Sequence, residues 1–338
     1  MNDNFNIFDV LSKDNKELIH SAFLAFLFKE EGHWFVKRLL RVAIDDKWKV
    51  RTEEKFGKRQ RIDIILDSSK HVIIIENKFK SLPNRKQLEG YSEILEKKYP
   101  QKDFSKFLIY FARKADFELP EGWQALTYAD VVAAIQEYMV WKKDLEDEKA
   151  MFLRHYVESV NSYIQKYQSL KDNPKEFYAL FDHSNNNPNR KFWIQLMFHE
   201  LKGYLKKRYQ LDSKVNAGGV YFPSIDVYEP EAKWKRGDYG FFIQLDSHKL
   251  KYYAYFEKNG KVDRQSVVDA EKEKLQSSGF VVSKSGKYKN KLSNNKNSGF
   301  IYQEDMLQEL PKEKFTIEEI ATYINDFRNK ISKVVANE

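Results

Sequence analysis

The chain has 338 residues, 42% hydrophobic and 32% charged, which is material for two packed domains and leaves no run apolar enough for a membrane span. It contains no cysteine, which excludes disulfides and thiolate metal sites. The net charge of +8 is uneven: residues 1–170 hold 29 Lys and Arg against 27 Asp and Glu, and residues 171–338 hold 29 against 23. Such an excess suits a polyanionic partner, and it also serves plain solubility. The opening MNDNFNIFDVLSKDNK lacks a basic start followed by an apolar block, so the sequence predicts no signal peptide and a cytoplasmic location.

Residues 16–29 read as a helix. Asp14 is placed as its N-cap, with Glu17 three residues on in a capping-box arrangement. Apolar positions nearly surround this helix, so burial is expected. A second helix is predicted over His33–Ile44, a strand over Lys47–Phe56, and a turn at Gly57-Lys58. Arg61–Leu66 and His71–Asn77 are rich in Ile and Val, the mark of strands, and Asp67-Ser68-Ser69-Lys70 between them supplies a turn. Pairing Leu66 with His71 sets Asp63 opposite Ile74. Alternation then gathers Arg61, Asp63, Ile65, Val72, Ile74, Glu76 and Lys78 on one face, and Ile62, Ile64, Leu66, Ile73 and Ile75 on the other. Both faces are apolar at the centre, so both are expected to be covered.

Two carboxylates and an ammonium group thus converge at one end of a buried face. That is costly unless the charges neutralise one another or hold a metal. One reading is a buried ion pair, Asp63–Lys78 or Glu76–Lys78. The other is an active site. A polar helix carrying Gln87 and Tyr91 follows directly, and the whole set resembles the PD-(D/E)XK nuclease superfamily. Arg61-Ile62-Asp63 stands for the first half of its motif, with Arg61-Ile62 where the name-giving Pro would be, and Glu76-Asn77-Lys78 stands for the second. Gln87-Leu88-Glu89-Gly90-Tyr91 is similar to the QxxxY element of its RecB-type branch.

The resemblance covers about the first half of the chain. It implies phosphodiester hydrolysis with Mg²⁺, for which Mn²⁺ can substitute, held by Asp63 and Glu76. Lys78 would orient or deprotonate the attacking water, or stabilise the charged phosphate. Gln87 would position the lysine, water or DNA, and Tyr91 would meet the nucleic-acid backbone or a base. Arg85 and Lys86 suit phosphate contacts. Many members place an acid on the helix before the hairpin, and E-x-x-H-S-x-F-L-x-F-L is similar to the opening of one bacterial branch. Glu17 therefore has two readings, a helix cap or a third metal ligand. The resemblance also favours DNA and a role in bacterial defence or repair.

Further on, a helix is predicted from Pro83 to about Lys98, strands over Phe104–Phe111 and Trp123–Thr127, a helix from Tyr128 to Trp141, and a long helix over Lys142–Tyr167. The order α-α-β-β-β-α-β-β-α is close to the core of restriction-endonuclease-like folds: an α/β (α+β) mixed sheet flanked by helices, assigned to residues 1–170. Residues 171–338 read as a C-terminal α+β recognition domain. It has a helix over Phe192–Tyr209, strands at Val220–Val227, Tyr239–Leu245 and Leu250–Glu257, and a last helix from Ile317 to Val334. Its Lys/Asn-rich loop offers Lys284, Lys287, Lys289 and Lys291 to phosphates, and Lys249–Lys258 interleaves lysines with aromatics. A protein partner or a second subunit bound by this half is the alternative. A non-catalytic binding module keeping the nuclease fold is the rival to the whole reading.

Overall fold

The computed structural model describes residues 6–10, 17–44, 46–56, 60–80, 85–111, 118–182, 189–216, 223–229, 234–257, 260–280, 282 and 298–335. The chain divides into two compact units, Met1–Tyr167 and Gln168–Glu338.

The first unit runs α1 (Ile7–Val10), α2 (Glu17–Arg38), β1 (Lys49–Phe56), β2 (Gln60–Asp67), β3 (His71–Lys78), α3 (Arg85–Lys98), β4 (Asp103–Tyr110), β5 (Trp123–Thr127), α4 (Tyr128–Trp141) and α5 (Asp147–Asp172), the last crossing into the second unit. Its sheet has the order β1-β2-β3-β4-β5. The first three strands are antiparallel neighbours, while β3, β4 and β5 run parallel. The β3–α3–β4 crossover brings the ends of the parallel strands level, with Lys78 beside Tyr110 and Tyr110 beside Thr127. Because β2 runs the other way, its beginning, at Arg61 and Asp63, lies at this same end.

The β2–β3 hairpin forms from the β-branched runs, but its register differs from the expected one. Ile64 pairs with Ile75 and Asp67 with Val72, and the turn closes through Ser68 N–H to the His71 carbonyl at 2.9 Å. Ser68 Oγ also accepts the His71 N–H, which moves the turn one residue on. The pairing is offset by two positions, and an even offset keeps every side chain on its face. Continued one step, this register sets Asp63 opposite Glu76. Ile62 is an exception to strict alternation, since it packs with Ile65, Val72, Ile74, Leu88 and Leu95 beneath α3. The ladder is interrupted here: Glu53, beside Asp63 on β1, has φ 55.

The two helices expected over residues 16–44 form one kinked helix, with Glu31 at φ −144 and ψ 55. It stops at Arg38 rather than Ile44. Leu39 and Leu40 are buried outside it, and Arg41 at φ 57 turns the chain toward β1. Phe23 of α2 stacks on Tyr156 of α5, ring centroids 3.5 Å apart. The α5 helix begins at Asp147 rather than Lys142; the intervening segment is tied down by Lys142–Glu31, and Lys149 in the first turn of α5 pairs with Glu30. Thr127 and Asp130 form a reciprocal capping box that starts α4. The Asp14 cap and the Pro83 helix start lie outside the described residues.

The second unit contains α6 (Pro174–Ala179), α7 (Arg190–Tyr209), β6 (Asp212–Asn216), β7 (Ser224–Tyr228), β8 (Lys235–Arg236), β9 (Tyr239–Asp246), β10 (Lys249–Phe256), α8 (Arg264–Ser277), β11 (Ser298–Asp305), α9 (Met306–Glu309) and α10 (Ile317–Val335). Its antiparallel sheet has the order β11-β10-β9-β7-β6, with β8 added to β9. The sequence predicts no element at α6, β6, β8, α8, β11 or α9; for β6 the reason is that a short polar stretch such as DSKVN carries little period-2 signal.

Leu88 anchors α3 to the sheet and is fully buried among Ile65, Ile74 and Leu108. Leu88→Ala is expected to destabilise the first unit by about 2–5 kcal/mol, read as a lower urea midpoint; an unchanged midpoint would mean that this packing is not formed.

Candidate active site

The geometry of the candidate site rests on side-chain alternation along β3. Glu76 points toward α3, and Asn77 points the opposite way, toward α2 and α4. Glu76 is 1% exposed. Its Oε1 accepts from Lys78 Nζ at 2.6 Å and from Gln87 Nε2 at 3.0 Å. Its Oε2 is buried with no hydrogen-bond partner among the described residues. Asp63 Oδ2 accepts the Asn77 N–H at 2.8 Å.

Burial pushes Asp63 up to about 7, and the neighbouring Glu76 charge adds to the rise, with a smaller push from Glu53. Burial also raises Glu76, against the opposing pull of Lys78. Burial alone would lower Lys78, but Glu76, Asp63 and Glu17 around it hold it above its ordinary value. The ammonium group is therefore retained, and two desolvated carboxylates face it.

Helix α3 braces this cluster. Gln87 Nε2 also donates to Tyr91 Oη at 2.6 Å, and Tyr91 Oη donates to the Arg61 carbonyl at 2.5 Å. One chain of hydrogen bonds thus runs from Glu76 through Gln87 and Tyr91 to the strand that carries Asp63. Residues 5–158 match the family model described as the PD-(D/E)XK nuclease superfamily. The N-terminal unit belongs to that superfamily. Its mixed sheet with helices on both faces is the restriction-endonuclease-like fold. No curated protein and no solved structure matches the chain.

PD-(D/E)XK nucleases generally use divalent metal ions, and the donor set here can be tested for fit. A buried and a half-buried carboxylate, the buried one with an unpartnered oxygen, offer anionic oxygens whose mutual repulsion a cation would relieve. Mg²⁺ characteristically takes one or two carboxylates and fills the rest of its shell with water and phosphate oxygens. Asp63 and Glu76 fit that demand. The three-carboxylate set expected from the sequence is not gathered, since no group of three or more His, Asp or Glu among the described residues is close enough to hold a metal. Glu17 Oε1 accepts the Lys80 N–H at 3.0 Å, just beyond the end of β3. Its charge nevertheless reaches Glu76 and Lys78 through space.

Other expected contacts change as well. Tyr91 is fully buried and its hydroxyl is engaged on both sides, so no ring face is left to meet a base. Arg85 is exposed, but it is held by Glu89 at 2.9 Å and Glu118 at 3.5 Å. Lys86 is exposed in the first turn of α3. Glu53 on β1 is half-buried, pairs with Arg61 at 2.7 Å and has a left-handed backbone, a kink with no residue-pattern signal. His20 is buried, stacks on Phe79 and shares a hydrogen bond with Tyr156 Oη. Lys284, Lys287, Lys289 and Lys291 lie outside the described residues.

Asp63 links this geometry to stability. Its folded pKa of about 7 lies above its ordinary value of 3.8, so the folded chain keeps a proton that the unfolded chain releases between the two. Stability from this group therefore falls as pH rises from 3.8 toward 7. In metal-free buffer, Asp63→Asn is expected to melt above the native chain at pH 8 and level with it at pH 3.5. An equal gap at both pH values would show that the buried charge is not the cause.

Proposed function

We propose that the chain is a metal-dependent nuclease that hydrolyses phosphodiester bonds, with DNA favoured as substrate. The observation that carries this reading is the convergence of Asp63, Glu76, Lys78 and Gln87 at one end of the sheet in a unit of the PD-(D/E)XK superfamily. An apolar residue at each of these positions would pack with less cost, and a structural role requires no unpartnered carboxylate oxygen.

A divalent cation, Mg²⁺ or Mn²⁺, held by Asp63 and Glu76 would neutralise phosphate charge and acidify water. Lys78, paired with Glu76 at 2.6 Å, would orient or deprotonate the attacking water, or hold the transferring phosphate by charge. Gln87 fixes the Glu76 carboxylate, and Tyr91 fixes Gln87. Glu17 adds negative charge from beyond the ligand pair. Lys86 meets substrate phosphate, and Arg85 joins it after exchanging Glu89 for phosphate.

The second unit is assigned recognition, on the strength of its larger basic excess. Its aromatic stretch only partly supports this. Leu250, Tyr252, Ala254 and Phe256 point into the core, and Lys251 pairs with Asp246 at 2.5 Å. Lys284, Lys287, Lys289 and Lys291 remain its candidate phosphate contacts. The biological role proposed is defence or repair in bacteria.

The test is incubation of purified protein with linear, circular and single-stranded DNA and with RNA, in Mg²⁺, Mn²⁺ or EDTA. Cleavage should require the metal. Asp63→Ala, Glu76→Ala and Lys78→Ala should each lower the rate on the order of a hundredfold or more while the circular dichroism spectrum stays native. Glu17→Gln should raise the metal concentration needed for half-maximal cleavage. Native-like cleavage by all three alanine variants would refute the site. Metal-independent binding without cleavage would favour a non-catalytic module.

Replacing Lys284, Lys287, Lys289 and Lys291 with Gln should flatten the salt dependence of DNA binding by roughly one log–log unit per lost phosphate contact. An unchanged slope would point instead to a protein partner or a second subunit for this half.

A further inference from the structure

Asn77, between Glu76 and Lys78, is the polar residue of the motif that the chemistry above leaves without a task. It is 1% exposed. Every hydrogen-bonding group of its side chain is engaged across element boundaries. Nδ2 donates to Ser21 Oγ at 3.0 Å and to the Glu17 carbonyl at 3.3 Å, both in the first turn or so of α2. Oδ1 accepts from Tyr128 Oη at 2.6 Å, at the start of α4. Its backbone N–H holds Asp63. One residue thus links β2, β3, α2 and α4.

The partners decide the orientation of the amide. A carbonyl oxygen only accepts, so the NH₂ group must face Glu17, and the Asn77 oxygen then faces the Tyr128 hydroxyl. The same face of β3 carries Ile73 and Ile75, both fully buried, so an aliphatic side chain at position 77 would pack without a desolvation cost. A buried amide there stabilises only through bonds made in full, and these bonds fix where α2 begins. The first turn of a helix is its least constrained part, because its N–H groups lack intrahelical partners. Glu17 is the first residue of α2, and its carboxylate is bonded to the Lys80 N–H, two residues past Lys78.

We propose that Asn77 is a positioning residue: by tethering the first turn of α2 it holds the Glu17 carboxylate at the end of β3 that carries Glu76 and Lys78, and so strengthens the site's hold on a divalent cation. This rests on the nuclease reading and adds to it a residue that touches neither metal nor substrate. The Tyr128 hydroxyl and Ser21 are the supporting partners.

The experiment is a cycle of four proteins: native, Asn77→Leu, Glu17→Gln and the double variant. Each is titrated with Mn²⁺ by calorimetry in the absence of DNA, and the metal dependence of cleavage is measured in parallel. Asn77→Leu is expected to weaken Mn²⁺ binding about tenfold, the usual range for losing a group that orients a metal site. Because it acts through Glu17, the double variant should bind within about twofold of Glu17→Gln alone. Losses that multiply, or native Mn²⁺ affinity in a destabilised Asn77→Leu protein, would overturn the proposal and leave a purely structural role.

Should Asn77→Leu fail to fold, Tyr128→Phe removes a single bond to the same amide. It is expected to weaken Mn²⁺ binding about threefold, again without effect in the Glu17→Gln background; an additive effect would overturn the proposal. A native protein that neither binds Mn²⁺ nor cleaves would remove the nuclease reading and this inference together. Native binding with additive variants would remove the inference alone.

Discussion

Two carboxylates side by side, Glu76 buried and Asp63 half-buried, repel one another and resist desolvation, and the first unit is arranged around that conflict. Asp63 and Glu76 meet because an antiparallel hairpin sets the beginning of β2 beside the end of β3. Lys78 offsets part of the charge and a backbone N–H offsets more, yet both acids remain raised above their ordinary range. Replacing the cluster by apolar residues would generally cost nothing in stability, so the charges are not there for packing.

The two faces of β3 divide the labour. On one side α3 packs through Leu88, Tyr91 and Leu95, and its Gln87–Tyr91 pair clamps Glu76 to the Arg61 carbonyl. On the other, Asn77 gathers α2 and α4 through Ser21, the Glu17 carbonyl and Tyr128. Alternation by single residues therefore places carboxylate, amide and ammonium group at three successive positions, each with a different neighbour. The Thr127–Asp130 capping box fixes where α4 starts and hence where the Tyr128 hydroxyl arrives. No separate framework is needed, because the bonds that order the site also join the helices to the sheet.

The second unit follows a different plan, an antiparallel sheet with α7, α8 and α10 supplying apolar faces. Among its ion pairs are Arg328–Glu229, 99 positions apart in the chain, and Lys251–Asp246. Tyr252, which sits in the aromatic-and-lysine stretch of β10, is buried and donates to Glu271. Interleaved Lys and Tyr in a strand thus describe two faces of a sheet at once, and only one of them is free to meet a ligand.

The sequence by itself determined the strands of the first unit, the hairpin faces and the convergence of Asp63, Glu76, Lys78 and Gln87, because a period of two and a period of 3.6 are properties of the local chain. It survived even an error of two residues in register, since an even shift preserves the faces. It also carried the family resemblance, which resides in a few closely spaced residues. Tertiary structure alone decided the rest. Whether Tyr91 met solvent or a carbonyl depended on the approach of α3 to β2. Whether Glu17 joined the carboxylate pair depended on where the end of β3 delivered the Lys80 N–H. Asn77 has no signature of its own, being an ordinary polar residue in a strand, and its importance comes from partners 51 to 60 positions away. Contacts of that range are set by how faces pack, and packing is a property of the whole chain rather than of any segment in it.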